Sequence, residues 1–527
     1  MRIEMASYLG EIVIRQDCMA YVAEKASPAL VDMVHEGDTL VRNAAFKALL
    51  QISSHRPNGE ILAKAGTVQV MAEEIFTRTI CDELNDPKTE AAEILANICE
   101  SSLDLETLQV NAHGSTMSSD YIVYNIIDLL DISTPDEFSK SLIRILLCLT
   151  KSPKAMDTIV SGVKSTEACD TLIEFLNSPD EELGIVAIKL LISLCPYMGF
   201  TMAERLCETS DQVENLISSI TWTDQVTERQ ALSATFLAKL PHQSLALNTV
   251  LVKKNIVSKI METIDQIPSG GMGMNRYAST LLEGSVGILV RFTSTLHDPQ
   301  MLFIAKFHNF TSVFTNLLAQ TSSDEVQKLS AIGLEKLSSA SMSLSKPLDT
   351  KRKRVIKFLH IPKLLSLGSS KKGQLRVCPV HKGACSSQNT FCLVNAKAIE
   401  RLLRCLDNEK EEVAEAALSA ICTLVDDEVD VDRSVSLLNE FDTIKHVLNV
   451  VRMHKQESLW HKSFWLIEKF LLKGGEVSLS NISQDRSLPA ILAAASHQGS
   501  SETRQIAEKI LTHLNMVPNF SSPNYTL

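Results

Sequence analysis

Aromatic residues are scarce in this chain. They account for only 5% of its 527 residues, although hydrophobic residues of all kinds account for 45%. Gly and Pro are also modest, at 20 and 16 residues. Sandwiches and barrels depend on aromatic and β-branched residues, whereas helices are well served by Leu, Ile and Ala. The composition therefore predicts a helical protein, and its length predicts several domains or an extended array.

Signals for membrane insertion, secretion and catalysis are missing from the sequence. No uninterrupted apolar run reaches the length of about 18 residues that a transmembrane helix needs. The N-terminus carries Glu4 and Glu11 and is not a secretory signal. There is no G-x-S-x-G, P-loop or H-E-x-x-H motif, so we expect no catalytic residue and no cofactor. The formal net charge of −12 disfavours a nucleic-acid partner.

The twelve cysteines are scattered, and many lie inside apolar runs such as LLCLT, ANICE and LISLC. Such cysteines are typical of buried, reduced thiols in an intracellular protein. We therefore expect a cytoplasmic protein, with a peripheral plasma-membrane or a nuclear location as alternatives.

A helical pattern repeats along the chain. Each copy has a core-opening residue, usually small, followed by larger apolar residues four and seven positions later, which places all three on one helix face. The core-opening residues are Ala45, Ala91, Leu142, Ala187, Ala231, Gly284, Ser330, Ala417, Ser463 and Ala507. Their spacing is 44 to 53 residues, except for 87 between Ser330 and Ala417, which predicts a hidden or degraded copy there.

A period in the mid-forties is typical of armadillo and HEAT repeats. A second recurring element favours armadillo, because a short apolar helix turns sharply into the next helix at ILAKAGTVQVM, LVKKNIVSKIM, IAKFHNFTSVF and CLVNAKAIERLL. We predict an all-α, right-handed superhelical solenoid of armadillo repeats. The expected divisions are repeats over 1–342, an irregular basic and cysteine-containing insertion over 343–391, repeats over 392–516, and a flexible tail over 517–527.

Four potential metal ligands lie in the predicted insertion. Cys378, His381, Cys385 and Cys392 have the spacing C-x2-H-x3-C-x6-C, which could close a tetrahedral zinc site. The paired C-x2-C knuckles typical of zinc modules are missing. An irregular insertion held by apolar thiols explains the spacing as well, and we favour that interpretation and assign no metal.

The same predicted insertion carries a basic run at Lys351, Arg352, Lys353 and Arg354. This run could act as a nuclear-import signal or as a patch for anionic lipid head groups. We favour a solvated loop between repeats.

Armadillo grooves of the importin type hold basic peptides with Trp and Asn, two and six residues after the core-opening residue. Here only Asn97 fits at the sixth position, and only Trp465 fits at the second. A reader of basic import signals is therefore not expected. The sixth position holds Lys336, Lys469 and His513 in the C-terminal half, which indicates a groove suited to acidic partners.

A family resemblance runs along nearly the whole chain. Near the C-terminus it is carried by CPVHKGACSSQNTFCLVNAKAIERLLRCLDNEKEEVAEAALSAICTLVDD, IKHVLNVV and TRQIAEKILTHLNMVPNFS, and earlier by YLGEIV, FKALLQISS, ILANIC, IKLLISLCPYM and LEGSVGILVRFTS. The sequence resembles plant U-box ubiquitin ligases with armadillo repeats, of the senescence-associated type. The resemblance implies repeats that recruit protein substrates to the ubiquitin machinery, and in some members repeats that associate with the plasma membrane.

The U-box itself is not found in the sequence. Its C-P-I-T-like strand, D-P-V turn and Trp-containing helix have no counterpart, and CPVHKG is flanked by repeat sequence on both sides. We interpret the chain as the repeat portion and transfer no catalytic residue to it. A ligase acting through an unrecognised segment, and a scaffold unrelated to ubiquitin, are the alternatives.

Overall fold

The computed structural model describes residues 2–12, 15–36, 38–76, 87–131, 133–221, 223, 225–266, 276–345 and 378–516. Across these ranges the regular secondary structure is helical. An isolated antiparallel bridge joins Gln109 to Thr116, and Gly383 and Ala384 are also bridge residues. The chain forms two compact units, Met1–Ile260 and Met261–Leu527.

The first unit contains α1 to α14 and the start of α15. Their bounds are Arg2–Glu11, Met19–Glu36, Thr39–Ser53, Gly59–Lys64, Thr67–Phe76, Lys88–Cys99, Asp120–Asp128, Asp136–Leu149, Pro153–Ser165, Ala168–Glu174, Glu181–Glu208, Ser210–Ser219, Glu228–Lys239, Leu245–Lys253 and Ile256–Gln266. The first unit also contains short 3-10 turns at Arg56–Asn58 and Phe175–Asn177.

The second unit contains α16 to α28. Their bounds are Arg276–Thr293, Pro299–Phe307, Phe310–Gln320, Asp324–Leu344, Leu393–Ala396, Ile399–Leu406, Glu411–Cys422, Val431–Glu440, Thr443–Met453, Glu457–Lys473, Gly475–Ser483, Leu488–Gln498 and Ser501–Asn515.

In each unit the helices that carry the core-opening residues pack one on the next. We call them the third helices: α3, α6, α8, α11 and α13 in the first unit, and α16, α19, α22, α25 and α28 in the second. All ten core-opening residues are buried. Small side chains such as Ala91 and Ala417 allow close approach, while Leu95 and Ile421 fill the space between neighbouring helices. The predicted all-α repeat architecture is confirmed.

The expectation of an extra copy between Ser330 and Ala417 is wrong for the described part of this interval. Helix α19, which carries Ser330, packs directly against α22, which carries Ala417. Asn408 Nδ2 donates to Asp324 at 2.9 Å, and Thr423 Oγ1 donates to Ser338 at 2.7 Å. The long spacing is one ordinary repeat lengthened by inserted residues, because spacing along the chain does not reveal which helices are neighbours.

The sharp turn between the first two helices of a repeat depends on one left-handed residue. Its φ is +83° at Gly66, +59° at Asn255, +48° at Asn309 and +58° at Lys397. Gly adopts this conformation without strain and Asn does so readily, whereas the conformation is sterically unfavourable for Lys. These residues lie in the four sequence elements that predicted the turn.

The loops that lead into third helices provide N-terminal caps in two ways. In FLNSPDEEL, Asp180 accepts a hydrogen bond from the Glu182 backbone N–H at 2.9 Å and caps α11. In CLDNEKEEV, the residue before α22 is Lys410, whose side chain makes no cap. There Asn408 accepts from the Lys410 N–H at 2.8 Å and forms the turn.

One described helix, α11, contains an 18-residue window that is long and apolar enough to cross a membrane by length and composition. That window is 56% buried, and α11 packs against α8 and α13 inside the first unit. The helix is also broken at Met198, two residues after Pro196. These features are those of a core helix shared by two successive repeats.

Candidate binding surface and cysteine–histidine cluster

We call the sixth position after each core-opening residue the junction position. Four such side chains reach back to the preceding repeat: Asn97 Nδ2 to Ser53 Oγ (3.1 Å), Lys336 Nζ to Ser294 Oγ (2.6 Å), Thr423 Oγ1 to Ser338 Oγ (2.7 Å) and Lys469 Nζ to Asp427 (2.6 Å). Three of these residues were candidate groove residues in the sequence. The structure gives them a role within the array.

Asn97 belongs to a polar network in the first unit. Arg144 donates from Nη2 to Asn97 Oδ1 at 2.7 Å and from Nε to Glu100 at 2.8 Å. Arg56 lies 3.5 Å from the second oxygen of Glu100. Burial lowers the pKa of Arg144, but the hydrogen bond and charge of Glu100 outweigh this and raise it. The guanidinium therefore stays charged. Through Ser53, Asn97 and Arg144 the network joins α3, α6 and α8.

This network forms part of an open groove of about 610 Å³ in the first unit. Its charged lining residues are Arg56, Glu93, Glu100, Lys140, Arg144, Glu182 and Glu228. Four carboxylates face three cations, and several of them are already paired. The groove is therefore a polar surface of mixed charge, suited to contact with a protein segment rather than to closing around a small apolar molecule.

A three-residue charge cluster occurs in both units at the same repeat positions. Lys140 lies 2.6 Å from Glu137 on its own helix and 3.0 Å from Glu182 on the next third helix. Lys328 lies 2.5 Å from Glu325 and 3.4 Å from Glu412 in the same way. Burial lowers the pKa of each lysine, but the hydrogen bonds and charges of the two carboxylates outweigh it and raise the pKa. Each lysine therefore stays charged and joins two repeats.

A second groove, of about 370 Å³, lies between α19, α22 and α25. Burial raises the pKa of Glu335, which lines it, and burial lowers the pKa of the adjacent Lys336. Lys462, also in the lining, lies 2.9 Å from Glu415. The carboxyl of Glu335 therefore holds a proton more readily than an exposed carboxyl does.

The candidate groove residues of the second unit lie on three of its third helices. Trp465 and Lys469 lie together, with Lys469 Nζ 5.1 Å from the indole centroid. Lys336 is on α19 and His513 is on α28, with α22 and α25 between them. His513 Nδ1 lies 2.8 Å from the carbonyl oxygen of Lys509 in its own helix. A binding role for these residues stays a prediction.

The four candidate metal ligands come together after the described end of α19. One donor atom from each of Cys378, His381, Cys385 and Cys392 lies within 4.8 Å of the others. Cys378 Sγ is 3.6 Å from His381 Nδ1 and 3.7 Å from Cys392 Sγ, and Cys385 Sγ is 3.3 Å from the same Nδ1. Three of the four residues are buried, and Cys385 is half-buried. We call them the CHCC cluster.

Hydrogen bonds within the CHCC cluster shift the pKa values of His381 and Cys392. Hydrogen bonds from Cys378 and Cys385, together with one from the Asn395 backbone, lower the pKa of the Cys392 thiol. Burial lowers the pKa of His381, but its hydrogen bonds to Cys385 and Cys392 outweigh this and raise it to about 9. By contrast, burial alone raises the pKa of the isolated Cys405 thiol to about 11. Hydrogen bonds to Cys385 and Cys392 raise the pKa of the Cys378 thiol, so of Cys378, Cys392 and Cys405 only Cys392 has a lowered pKa.

The basic run at Lys351, Arg352, Lys353 and Arg354 lies outside the described residues. The three interpretations of that run stay predictions.

Stacked third helices, short first helices and left-handed turns define an armadillo-repeat solenoid. The Armadillo/beta-catenin-like repeat family matches residues 386–426, which contain the three helices α20, α21 and α22 of one repeat. The fold is similar to that in a crystal structure of an engineered protein, with a TM-score of 0.58 and 17% sequence identity. The alignment covers 94% of this chain and 100% of that chain. At that identity the likeness concerns the fold alone.

The chain is similar along nearly its whole length to plant U-box domain-containing proteins. It is 52% identical to the Arabidopsis thaliana "Putative U-box domain-containing protein 42", over 99% of this chain and 50% of that protein. It is 32% identical to "U-box domain-containing protein 44" of the same plant and to "U-box domain-containing protein 24" of Oryza sativa subsp. japonica, over 99% of this chain and 63% and 64% of those proteins. The chain therefore spans about half to two thirds of the relatives it matches.

Sequence reasoning missed the contacts that run between repeats. Glu100, Arg144, Lys140 and Glu182 were not singled out, although all of them line the groove of the first unit. Part of the signal was present, because Lys140 and Lys328 both lie two residues before a core-opening residue. Alignment of the charged positions in the repeat register, and not only of the apolar ones, would have found these two clusters.

Proposed function

We propose that this chain is a protein-binding module that selects substrates for ubiquitin transfer. The observation that carries the proposal is its similarity, over 99% of its length, to proteins named for a U-box. A U-box contacts the ubiquitin-conjugating enzyme, and the armadillo resemblance assigns protein recognition to the repeats. In this proposal a U-box outside the repeats supplies the transfer activity.

The surface proposed for recognition is the groove of the first unit. Its walls come from third helices, and helices held by inter-repeat contacts such as Arg144 to Glu100 present a preorganised surface. Its mixed charge favours a partner segment with charges of both signs. We place the protein in the cytoplasm, and fractionation of tagged full-length protein between cytosol, plasma membrane and nucleus tests this.

The decisive experiment is reconstituted ubiquitin transfer. The purified chain is incubated with ubiquitin, activating enzyme and conjugating enzymes, alongside a chimera in which a U-box from an active ligase precedes it. We expect no transfer by the chain alone, and transfer by the chimera to proteins that the chain binds. Transfer by the chain alone would show ligase activity in an unrecognised segment. A chimera that modifies itself but not the bound proteins would favour a ubiquitin-independent adaptor.

A pair of charge reversals tests the groove. Glu93 lines it, and Glu93→Lys should change the dissociation constant for a bound protein at least about fivefold, or roughly 1 kcal/mol. Glu208, an exposed carboxylate of the same unit outside this lining, provides the matched control, Glu208→Lys. Equal affinities for both variants would exclude the groove as the recognition surface.

A further inference from the structure

We propose that the CHCC cluster binds one structural Zn²⁺ ion. The argument begins with geometry, since zinc in a tetrahedral site lies about 2.3 Å from thiolate sulfur and about 2.0–2.1 Å from imidazole nitrogen. Ideal tetrahedral angles then place two sulfurs about 3.8 Å apart and a sulfur about 3.5 Å from the nitrogen. The distances are 3.7 Å between Cys378 and Cys392, and 3.6 and 3.3 Å from His381 to Cys378 and Cys385.

Apolar packing of thiols does not account for the arrangement. His381 is only 8% exposed, and its Nδ1 is directed at two sulfur atoms. A buried imidazole needs polar partners, and neutral thiols are weak ones. A disulfide does not account for it either, because 3.7 Å between Cys378 and Cys392 far exceeds the S–S bond of about 2.05 Å.

The backbone around the cluster is shaped to bring the ligands together. Lys382 and Phe391 are both left-handed, with φ of +56° and +51°, and neither is a glycine. A bulky residue in this conformation is an outlier, and such strain persists where the surroundings enforce it. Phe391 directly precedes Cys392 and Lys382 directly follows His381. The strained positions therefore adjoin two of the four ligands.

The donor set selects the metal and its role. Three thiolates and one imidazole in a tetrahedral arrangement suit Zn²⁺, whereas Mg²⁺ and Ca²⁺ prefer oxygen. Four protein ligands leave no open position for water or substrate, which is the pattern of a structural site.

Bound zinc would fasten residues 378–392 to the second unit. This segment has no helix of its own, but the Asp430 N–H donates to the Val380 carbonyl at 3.0 Å, and Cys385 Sγ lies 3.2 Å from Ser345 Oγ just after α19. The site thus lies where the lengthened repeat joins α19 to α20. We infer that the metal cross-links this segment, which has no helical hydrogen bonds to hold its shape.

The test measures metal in the full chain, purified under reducing conditions without chelator. Elemental analysis should find about one Zn²⁺ per chain. The double variant Cys378→Ser/Cys385→Ser should retain almost none, because loss of a ligand lowers affinity by more than the 10- to 100-fold that an outer-shell partner contributes. The matched control is Cys405→Ser, which alters a buried thiol on α21 outside the cluster and should retain the full zinc content.

A second measurement separates metal loss from misfolding of the double variant. Zinc is removed from the wild-type chain by a chelator and replaced by Co²⁺, whose spectrum should show thiolate-to-metal charge transfer and the intense bands of a tetrahedral site. Hydrogen exchange of residues 378–392 should slow when Zn²⁺ is restored, while residues 2–260 stay unchanged. A wild-type chain without zinc, equal zinc in both variants, or a cobalt spectrum without thiolate bands would each overturn the proposal.

Discussion

Arg144 and Asn97 offer a direct test of whether the junction position stabilises the array. The perturbation is a double-mutant cycle with Asn97→Ala and Arg144→Met, since Met keeps the apolar stem of Arg without its charge. Asn97→Ala removes the hydrogen bond to Ser53 and the one from Arg144, at 3.1 and 2.7 Å. Arg144→Met also leaves Glu100 without its 2.8 Å partner.

The expected loss of stability follows from the burial of the Arg144 and Glu100 side chains. A hydrogen bond to a charged group contributes about 1.5–3 kcal/mol when it is well buried. The side chains of Arg144 and Glu100 are 19% and 26% exposed, so the lower end applies and each single variant should cost about 2 kcal/mol. The cycle isolates the one bond from Arg144 to Asn97, and we expect a coupling free energy of about 1–1.5 kcal/mol.

The assay must resolve single repeats, because stacked repeats do not unfold as one two-state unit. Native-state hydrogen exchange of amides in α6 and α8 of the full chain reports the local opening free energy. Arg404 and Glu400 provide the control cycle, since they also lie 2.8 Å apart but are 72% and 64% exposed, and they should show no measurable coupling. A coupling below about 0.5 kcal/mol between Asn97 and Arg144 would refute the role assigned to the network.

Three further changes have defined outcomes. Ser463→Ala should stabilise α25 by about 1 kcal/mol in hydrogen exchange, because Ser463 Oγ is buried without a hydrogen-bond partner and several other repeats have Ala at this position. Lys397→Gly should raise the thermal midpoint of the second unit, since relief of about 1 kcal/mol of left-handed strain exceeds the entropic cost of Gly. Burial lowers the pKa of His308 below its ordinary 6.5, so protonation favours the unfolded state and stability should fall as pH drops through about 6.5. His308→Gln should remove that part of the pH dependence, measured as the thermal midpoint between pH 7.5 and roughly pH 5.

Each of these expectations has an opposite result that would contradict it. A less stable Ser463→Ala variant would mean that the hydroxyl has a partner in solution. A lower thermal midpoint for Lys397→Gly would mean that the lysine side chain stabilises the second unit by more than the strain of its left-handed backbone destabilises it. For His308→Gln, an unchanged slope below pH 6.5 would assign the titration to another group.

The apolar pattern predicted the architecture because it depends on local geometry. Ala91 and Leu95 repeat the spacing of Ala417 and Ile421, and a helix places residues four apart on one face wherever it sits. The turns were predicted from a local pattern as well, because the same short apolar helix precedes Gly66, Asn255, Asn309 and Lys397. The 87-residue spacing was misread because an inserted segment changes the period without changing which helices pack together.

The sequence by itself thus determined the helical repeats, their core faces and their turns, because each of these follows from contacts within a few residues. The tertiary structure decided what the polar side chains do. Asn97 meets Arg144, and Lys328 meets Glu412, only because stacking brings residues 47 and 84 positions apart into contact. Likewise, the sulfurs of Cys378 and Cys392 come within 3.7 Å of each other across a segment whose backbone is left-handed at Lys382 and Phe391.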